Sequence, residues 1–265
     1  MKKLFFLLII FPALLVSCQD VIDVDLEEKE PKLVIEAVGI QQENDTVGLI
    51  KVLLSTTTPF FQIDTPYVDN AQVSVFVNEQ EYVLSNENST EYVRIIPMLE
   101  NSTYKLEILY NQEVYEGETQ LYPTVPFDFV EQSTNSFSED YIAINAYFTD
   151  PPALGDNYYF HFQATGFTAV IDTSDDKLIN GNQVSTFYAE ELQAGDVIAI
   201  KIQGISARFN TYFSTLLGQA NDSGSPFSTA SASVRGNMVN TTTPDKFPLG
   251  YFRISQEYQT TYTVE

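Results

Sequence analysis

The sequence contains one cysteine, one histidine and no tryptophan. A single thiol excludes an internal disulfide and a cysteine-based zinc cluster, and a single imidazole removes most Ser/His, Cys/His and multi-histidine metal chemistry. Basic residues are scarce as well: 13 Lys and Arg stand against 36 Asp and Glu, a formal charge of −23. A chain this acidic repels nucleic-acid phosphates instead of releasing their counterions, so DNA and RNA drop out as partners. Beyond residue 18 no apolar run approaches the ~18 residues of a membrane-spanning helix. Also missing are a Gly-x-Ser-x-Gly elbow, a phosphate-cradling glycine loop and a His-Glu-x-x-His pair. Carboxylates are so plentiful, Asp172, Asp175, Asp176, Glu190 and Glu191 among them, that no one pair stands out as a glycosidase acid and base. The run Asp172 to Asp176 lacks the regular spacing of a calcium loop. The expectation is a protein that is not an enzyme and holds no cofactor and no metal.

Enough is present to build a core. Apolar residues make up 44% of the 265 and charged residues 18%, sufficient to offset chain entropy in one large or two modest β domains. The amino terminus has a separate logic. Lys2 and Lys3 precede an uncharged stretch, Leu4 to Val16, which ends in Leu15-Val16-Ser17-Cys18. A cationic start, a greasy segment too short to cross ~30 Å of hydrocarbon and small residues before a thiol make a bacterial lipoprotein signal peptide over residues 1–17. Cys18 is then the lipidation site, and several acyl chains on it give stable anchoring. Cleavage removes Lys2 and Lys3 and leaves the mature chain more acidic still. Residues 18–31, with Asp20, Asp23, Asp25, Glu27, Glu28 and Glu30, form the lipidated Cys and an acidic tether, of which residues 19–31 reach at most ~45 Å at ~3.3–3.6 Å per residue.

From Leu33 onward the apolar pattern alternates with period two, as in Val73, Val75, Val77 and in Tyr104, Leu106, Ile108, Tyr110, which lays one face of a sheet on a core. The alternation predicts strands over 32–40, 47–55, 72–78, 81–84, 91–97, 103–110 and 113–121, with a tight hairpin at Tyr110-Asn111-Gln112-Glu113-Val114. Seven short strands in about ninety residues predict an all-β fold beginning with an immunoglobulin-like or transthyretin-like sandwich over 32–122. Pro123 and Pro126 punctuate the chain, and a second β-rich domain follows over 127–265. Its inward positions are Ile142, Ile144, Ala146, Phe148; Tyr158, Phe160, Phe162; and Ile198, Ile200, Ile202. One short helix interrupts it near 206–218: Phe209, Tyr212, Phe213, Leu216 and Leu217 repeat at helical spacing, Ser206 caps the start and Gly218 is expected to end it. The stretch 218–233 reads as a long loop suited to recognition.

Sixteen tyrosines and nineteen phenylalanines mostly fill strands and cores. Phe60, Phe61 and Tyr67, bracketed by Pro59 and Pro66 outside the strand pattern, are the candidate partner-docking residues. His161 faces away from Tyr158, Phe160 and Phe162 and is expected to be a solvated or hydrogen-bonded strand histidine, not a base.

Several strings carry a resemblance: Val24-Asp25-Leu26, Leu33-Val34-Ile35-Glu36-Ala37, Asn70-Ala71-Gln72-Val73, Pro226-Phe227, Val234-Arg235-Gly236-Asn237-Met238 and Leu249-Gly250-Tyr251-Phe252. In this order, behind a lipoprotein leader, the chain resembles the Bacteroidetes lipoproteins of domain of unknown function 4249. The acidic run Asp20, Asp23, Asp25, Glu27, Glu28 likewise resembles the export signal of Bacteroidetes lipoproteins displayed on the outer face. The resemblance implies an outer-membrane lipoprotein, facing the cell exterior, that serves a TonB-dependent β-barrel transporter in nutrient uptake. Gly236 and Gly250 read as turns or close backbone approaches, and Asn237 as a side chain that bonds loop backbone. A free-standing surface adhesin or glycan-binding module is the alternative, and a carboxylate-dependent hydrolase a remote third.

Overall fold

A computed structural model describes residues 30–59, 62, 64–86, 88, 90–134, 141–221 and 232–265. The first eight strands are β1 (Leu33–Gln42), β2 (Val47–Thr56), β3 (Gln72–Val77), β4 (Gln80–Val83), β5 (Ser85–Asn86), β6 (Glu91–Pro97), β7 (Thr103–Tyr110) and β8 (Glu113–Tyr122). After the Pro123–Pro126 segment come β9 (Phe129–Thr134), β10 (Ile142–Thr149), β11 (Asn157–Ala164), β12 (Val170–Asp175), β13 (Gln183–Glu190), β14 (Val197–Gly204), helix α1 (Ala207–Asn221), β15 (Val239–Asn240) and β16 (Leu249–Thr263). The fold is all-β with one helix, as the alternation predicts. The predicted hairpin is there too: Asn111 and Gln112 have φ of 52° and 64°, the paired positive angles of a turn whose twist suits two antiparallel strands. Asn78 and Glu79 repeat the device between β3 and β4.

The ladder β4-β3-β7-β8-β16-β1-β2-β6-β5 folds over on itself and closes a first core. Ile35 and Ala37, Ile50 to Leu54, Val73 to Val77 and Leu106 to Ile108 send every second side chain into it. A second core lies between β12-β11-β14-β16 and the separate sheet β13-β10-β9. Ile144, Ala146, Phe148, Phe160, Phe162, Ile198, Ile200 and Ile202 fill it. These are the positions the alternation assigned inward.

One strand serves both cores. The first half of β16 runs parallel to β1, from Val34↔Leu249 to Gln42↔Glu257, and its second half runs antiparallel to β14, from Gln203↔Glu257 to Val197↔Thr263. Phe252 and Ile254 go into the first core, while Tyr258, Tyr262 and the following Val264 pack on the second. Glu257 sits at the changeover, opposite Gln42 on one side and Gln203 on the other. Its carboxylate accepts from Gln42 Nε2 at 2.9 Å, from Gln203 Nε2 and from Lys201 Nζ at 3.3 Å. A buried carboxylate is tolerable only when its lone pairs are filled in this way.

The strand reaches this position through a close backbone packing. A Cβ placed on Gly236 would lie 1.7 Å from the Gly250 oxygen, and one on Gly250 would lie 2.0 Å from the Ile35 oxygen. Between them Asn237 acts as a piece of strand: its Oδ1 accepts from Phe252 N at 2.8 Å, and its Nδ2 donates to Phe252 O at 2.7 Å and to Glu118 O at 3.2 Å. One side chain thereby satisfies backbone groups of both β16 and β8 that would otherwise be orphaned.

The helix departs from expectation at its end. Ser206 Oγ accepts from Phe209 N at 2.9 Å and caps the start, but α1 continues through Gly218 to Asn221. Nothing lies within 4 Å of where a Gly218 Cβ would be. At an exposed interior position glycine costs only about 1 kcal/mol, too little by itself to stop a helix.

Candidate functional site

α1 packs on the outer face of the large sheet, away from both cores. Phe209 meets Tyr251 of β16 with ring centroids 5.0 Å apart, Tyr212 meets the same ring at 5.0 Å, and Phe213 meets Tyr159 of β11 at 5.5 Å. Arg208 Nη2 donates to Gly236 O at 2.7 Å, and Asn210 Nδ2 to Asn157 Oδ1 at 2.9 Å. The aromatic stripe read from helical spacing is therefore spent on the protein itself, yet it covers only part of the sheet. Beside it remains a groove of about 480 Å³, with Val34, Glu36 and Val38 of β1, Leu53 of β2 and Leu249 of β16 on one side and Phe213 and Leu216 on the other.

Arg253 is the cation of this groove. Its Nη1 donates to Gln203 Oε1 at 2.7 Å and to Ser255 Oγ at 2.8 Å, and the guanidinium lies 4.9 Å from the Tyr159 ring centre and 5.1 Å from that of Phe209. Burial pushes the guanidinium down to about 10, with Tyr159 and Glu257 acting the other way, so it stays charged at neutral pH. Burial raises Tyr159, Tyr212 and Tyr251, which keeps all three phenols neutral. Chemically the arrangement is an apolar, aromatic slot with one fixed positive charge. The Glu36 carboxylate of β1 lines the same slot, so its two charged groups are one anion and one cation.

A second constellation joins two loops. Carboxylate oxygens of Asp150, Asp156 and Asp176 lie within 4.8 Å of one another, an oxygen set that suits a hard cation. Two of the three are already committed, however. Asp176 Oδ2 accepts from Gly155 N at 2.6 Å and Asp156 N at 3.0 Å, while Asp150 accepts from the Tyr158 hydroxyl and from Gly181 N at 3.0 Å. The trio reads as a clasp tying the β10–β11 loop to the β12–β13 loop. Asp156 pays for it: burial and then the charges of Asp150 and Asp176 raise its carboxyl above 3.8. Since the fold holds that proton more tightly than the unfolded chain, charged Asp156 destabilises above its raised pKa. The cost disappears as pH falls through that value. Asp156→Asn is expected to raise stability at pH 7 by on the order of 0.5 kcal/mol, because the group is partly solvated. Thermal melts from pH 7 down to pH 4 should show the advantage shrinking with acidity.

Of the candidates named from sequence, Cys18, Asp20, Asp23, Asp25, Glu27, Glu28, Phe60 and Phe61 lie outside the described residues, as do 222–231 of the long loop. Tyr67 is described. It bridges Ser55, and its neighbours Pro66 and Val68 exchange backbone bonds with Thr56 and Leu54, so it rides on the end of β2 with 47% of its surface exposed. His161 shares the outer face with Tyr159. Its Nδ1 has no hydrogen-bond partner among the described residues, and burial, then Lys201, lowers its pKa. It is a half-buried imidazole whose lowered pKa favours the neutral form.

Two surface features escaped sequence reasoning. Arg253 stands at an outward position between the inward Phe252 and Ile254, and nothing local to that alternation marks it as a groove residue. On the outer face of the small sheet, Phe129 and Tyr147 stack at 4.4 Å and 15°, with Phe187 close by at 68% exposure. The available signal was an aromatic, Tyr147, at an outward position between Ala146 and Phe148.

The family model described as domain of unknown function (DUF4249) matches residues 19–261. Among solved structures, the chain is similar to a segment of two fibronectin type-III domains from chicken tenascin, at 13% identity over 68% of this chain and 93% of that one, with a TM-score of 0.23. It is also similar to a chain of a cytokine receptor complex, at 7% identity over 66% and 91%, with a TM-score of 0.27. No curated protein matches the sequence.

Proposed function

From the premise that this chain belongs to the DUF4249 family, we propose that it is a lipid-anchored, non-enzymatic binding subunit of the outer membrane. It faces the cell exterior and serves a TonB-dependent β-barrel transporter in nutrient capture. The observation that carries the binding role is the groove beside α1, whose size falls in the ~300–1,000 Å³ range of small-molecule sites and whose walls are apolar and aromatic with one cation, Arg253, and one carboxylate, Glu36. The anchor rests on the leader and Cys18, and the acidic tether gives the folded part reach above the headgroups. The acidic surface keeps the protein soluble beside other proteins and disfavours wrong partners.

Purification of the native lipoprotein after mild crosslinking should bring down a large β-barrel protein, and Cys18→Ala should move the chain from the membrane to the soluble fraction. Recovery of the lipoprotein alone would overturn the transporter assignment, and membrane retention of the Cys18 variant would overturn the anchor. Protease shaving of intact cells tests the orientation.

The exposed Phe129, Tyr147 and Phe187 face favours a second reading, a glycan-binding module, since flat aromatic surfaces stack on sugar rings. A glycan array separates the two: hits abolished by Tyr147→Ala would favour this reading over the first.

A further inference from the structure

The groove's single cation is only half used. Gln203 Oε1 and Ser255 Oγ, both neutral, take the two protons of Arg253 Nη1, and Nη2 and Nε make no hydrogen bond among the described residues. The buried carboxylate on the same strand, Glu257, belongs to Gln42, Lys201 and Gln203. Arginine has five N–H donors in a fixed fork that matches a carboxylate. Here the fork is oriented by two neutral acceptors and two aromatic faces in a partly water-excluded slot, where an anion gains more than it would in bulk water. Val34, Val38, Leu53 and Leu216 continue the slot with apolar surface. Glu36 stands on the same face as Arg253, so a second negative charge on the ligand would be repelled.

Resting on the reading of the groove as a binding element, we propose that its occupant is a small amphiphilic monocarboxylate. The acid end pairs with the free edge of the Arg253 guanidinium, and the aliphatic or aromatic body lies between α1 and β1. The groove volume of about 480 Å³ suits a medium-length acyl chain.

Calorimetric titration of the unlipidated chain, made without the leader and with Cys18→Ala so that no detergent is needed, with decanoate, 1-decanol and decyltrimethylammonium tests this. Decanoate is expected to bind at one site, with decanol weaker and the cation weakest. Arg253→Gln should weaken decanoate by about tenfold or more, the usual loss for a hydrogen bond to a charged group, and leave decanol unchanged. Arg253→Lys, which keeps the charge, should recover part of the affinity and replaces the Gln variant should the latter fail to melt cooperatively. Val38→Phe, opposite Arg253 in the β1–β16 register, fills the slot and should weaken every ligand that enters it. If decanoate and decanol bind alike and Arg253 is immaterial, while Val38→Phe still weakens both, the carboxylate assignment falls and the groove stands. If nothing binds, or binding ignores Val38→Phe, the groove reading falls with it.

Discussion

Gly250→Ala is expected to cost about 3 kcal/mol or more, a large share of the ~5–15 kcal/mol that holds an ordinary domain together. Two penalties coincide at this position. Gly250 has a φ of +96°, where a side chain is strained by roughly 1–3 kcal/mol. The added methyl would also sit 2.0 Å from the Ile35 oxygen and 2.6 Å from its carbon, and backbone cannot rotate aside as a side chain does. The strands β1 and β16 must then separate where their parallel pairing begins. Two other glycines divide the penalties. Gly195 has nearly the same φ, +95°, with nothing within 4 Å, so Gly195→Ala reads the dihedral strain alone. Gly204 has no positive φ, but its Cβ would lie 1.9 Å from the Pro123 oxygen, so Gly204→Ala reads backbone collision alone. Chemical denaturation of the three variants should rank Gly195→Ala as the mildest by a clear margin. If Gly250→Ala were no worse than Gly195→Ala, the close packing of Gly250 on the Ile35 backbone would not be what seats β16.

The sequence made the cores readable because a sheet writes its buried face locally. Val73, Val75 and Val77, or Ile198, Ile200 and Ile202, announce an inward side through their own neighbours. The Asn111-Gln112 turn was legible for the same reason, since turn chemistry is a property of a few adjacent residues. Strand β13 was harder, because its inward set Val184, Thr186, Tyr188 includes a polar member, and β12 is short with mostly half-exposed side chains. The groove was not legible at all. Its walls come from β1, β2, α1 and β16, and they meet only because residues 249–257 run parallel to 34–42, a pairing more than two hundred positions apart that no local period reports. The same separation hid the clasp of Asp150, Asp156 and Asp176, where proximity comes from two loops. Gly236, Asn237 and Gly250 lie between these extremes. Their residue types signalled a close backbone approach, but only the fold shows that they contact one another.

A fragment comprising residues 31–122 is expected not to fold cooperatively, although it contains eight strands and nearly all of the first core. It lacks Met238, Phe252 and Ile254, which are 5%, 0% and 0% exposed in the whole chain. Each fully buried side chain of this size contributes roughly 1.5–3 kcal/mol, so their loss alone approaches the entire net stability of a typical domain. The ladder suffers as well. Without β16, β1 loses nine register partners and becomes a bare hydrophobic edge, and β8 loses both β15 and its two pairs with Ile254 and Ser255. An unpaired apolar edge of this kind recruits other chains. The fragment should therefore show no sharp thermal transition and should aggregate, whereas the same residues joined by a flexible linker to 232–257 should regain a cooperative melt. For the whole chain the same geometry predicts one transition and not two, because β16 cannot leave the first core without withdrawing Tyr258, Tyr262 and Val264 from the second. Calorimetry of the intact chain, in parallel with the two fragments, checks all three expectations. A sharp, reversible melt of 31–122 alone would mean that the C-terminal strand decorates a self-sufficient sandwich instead of completing it.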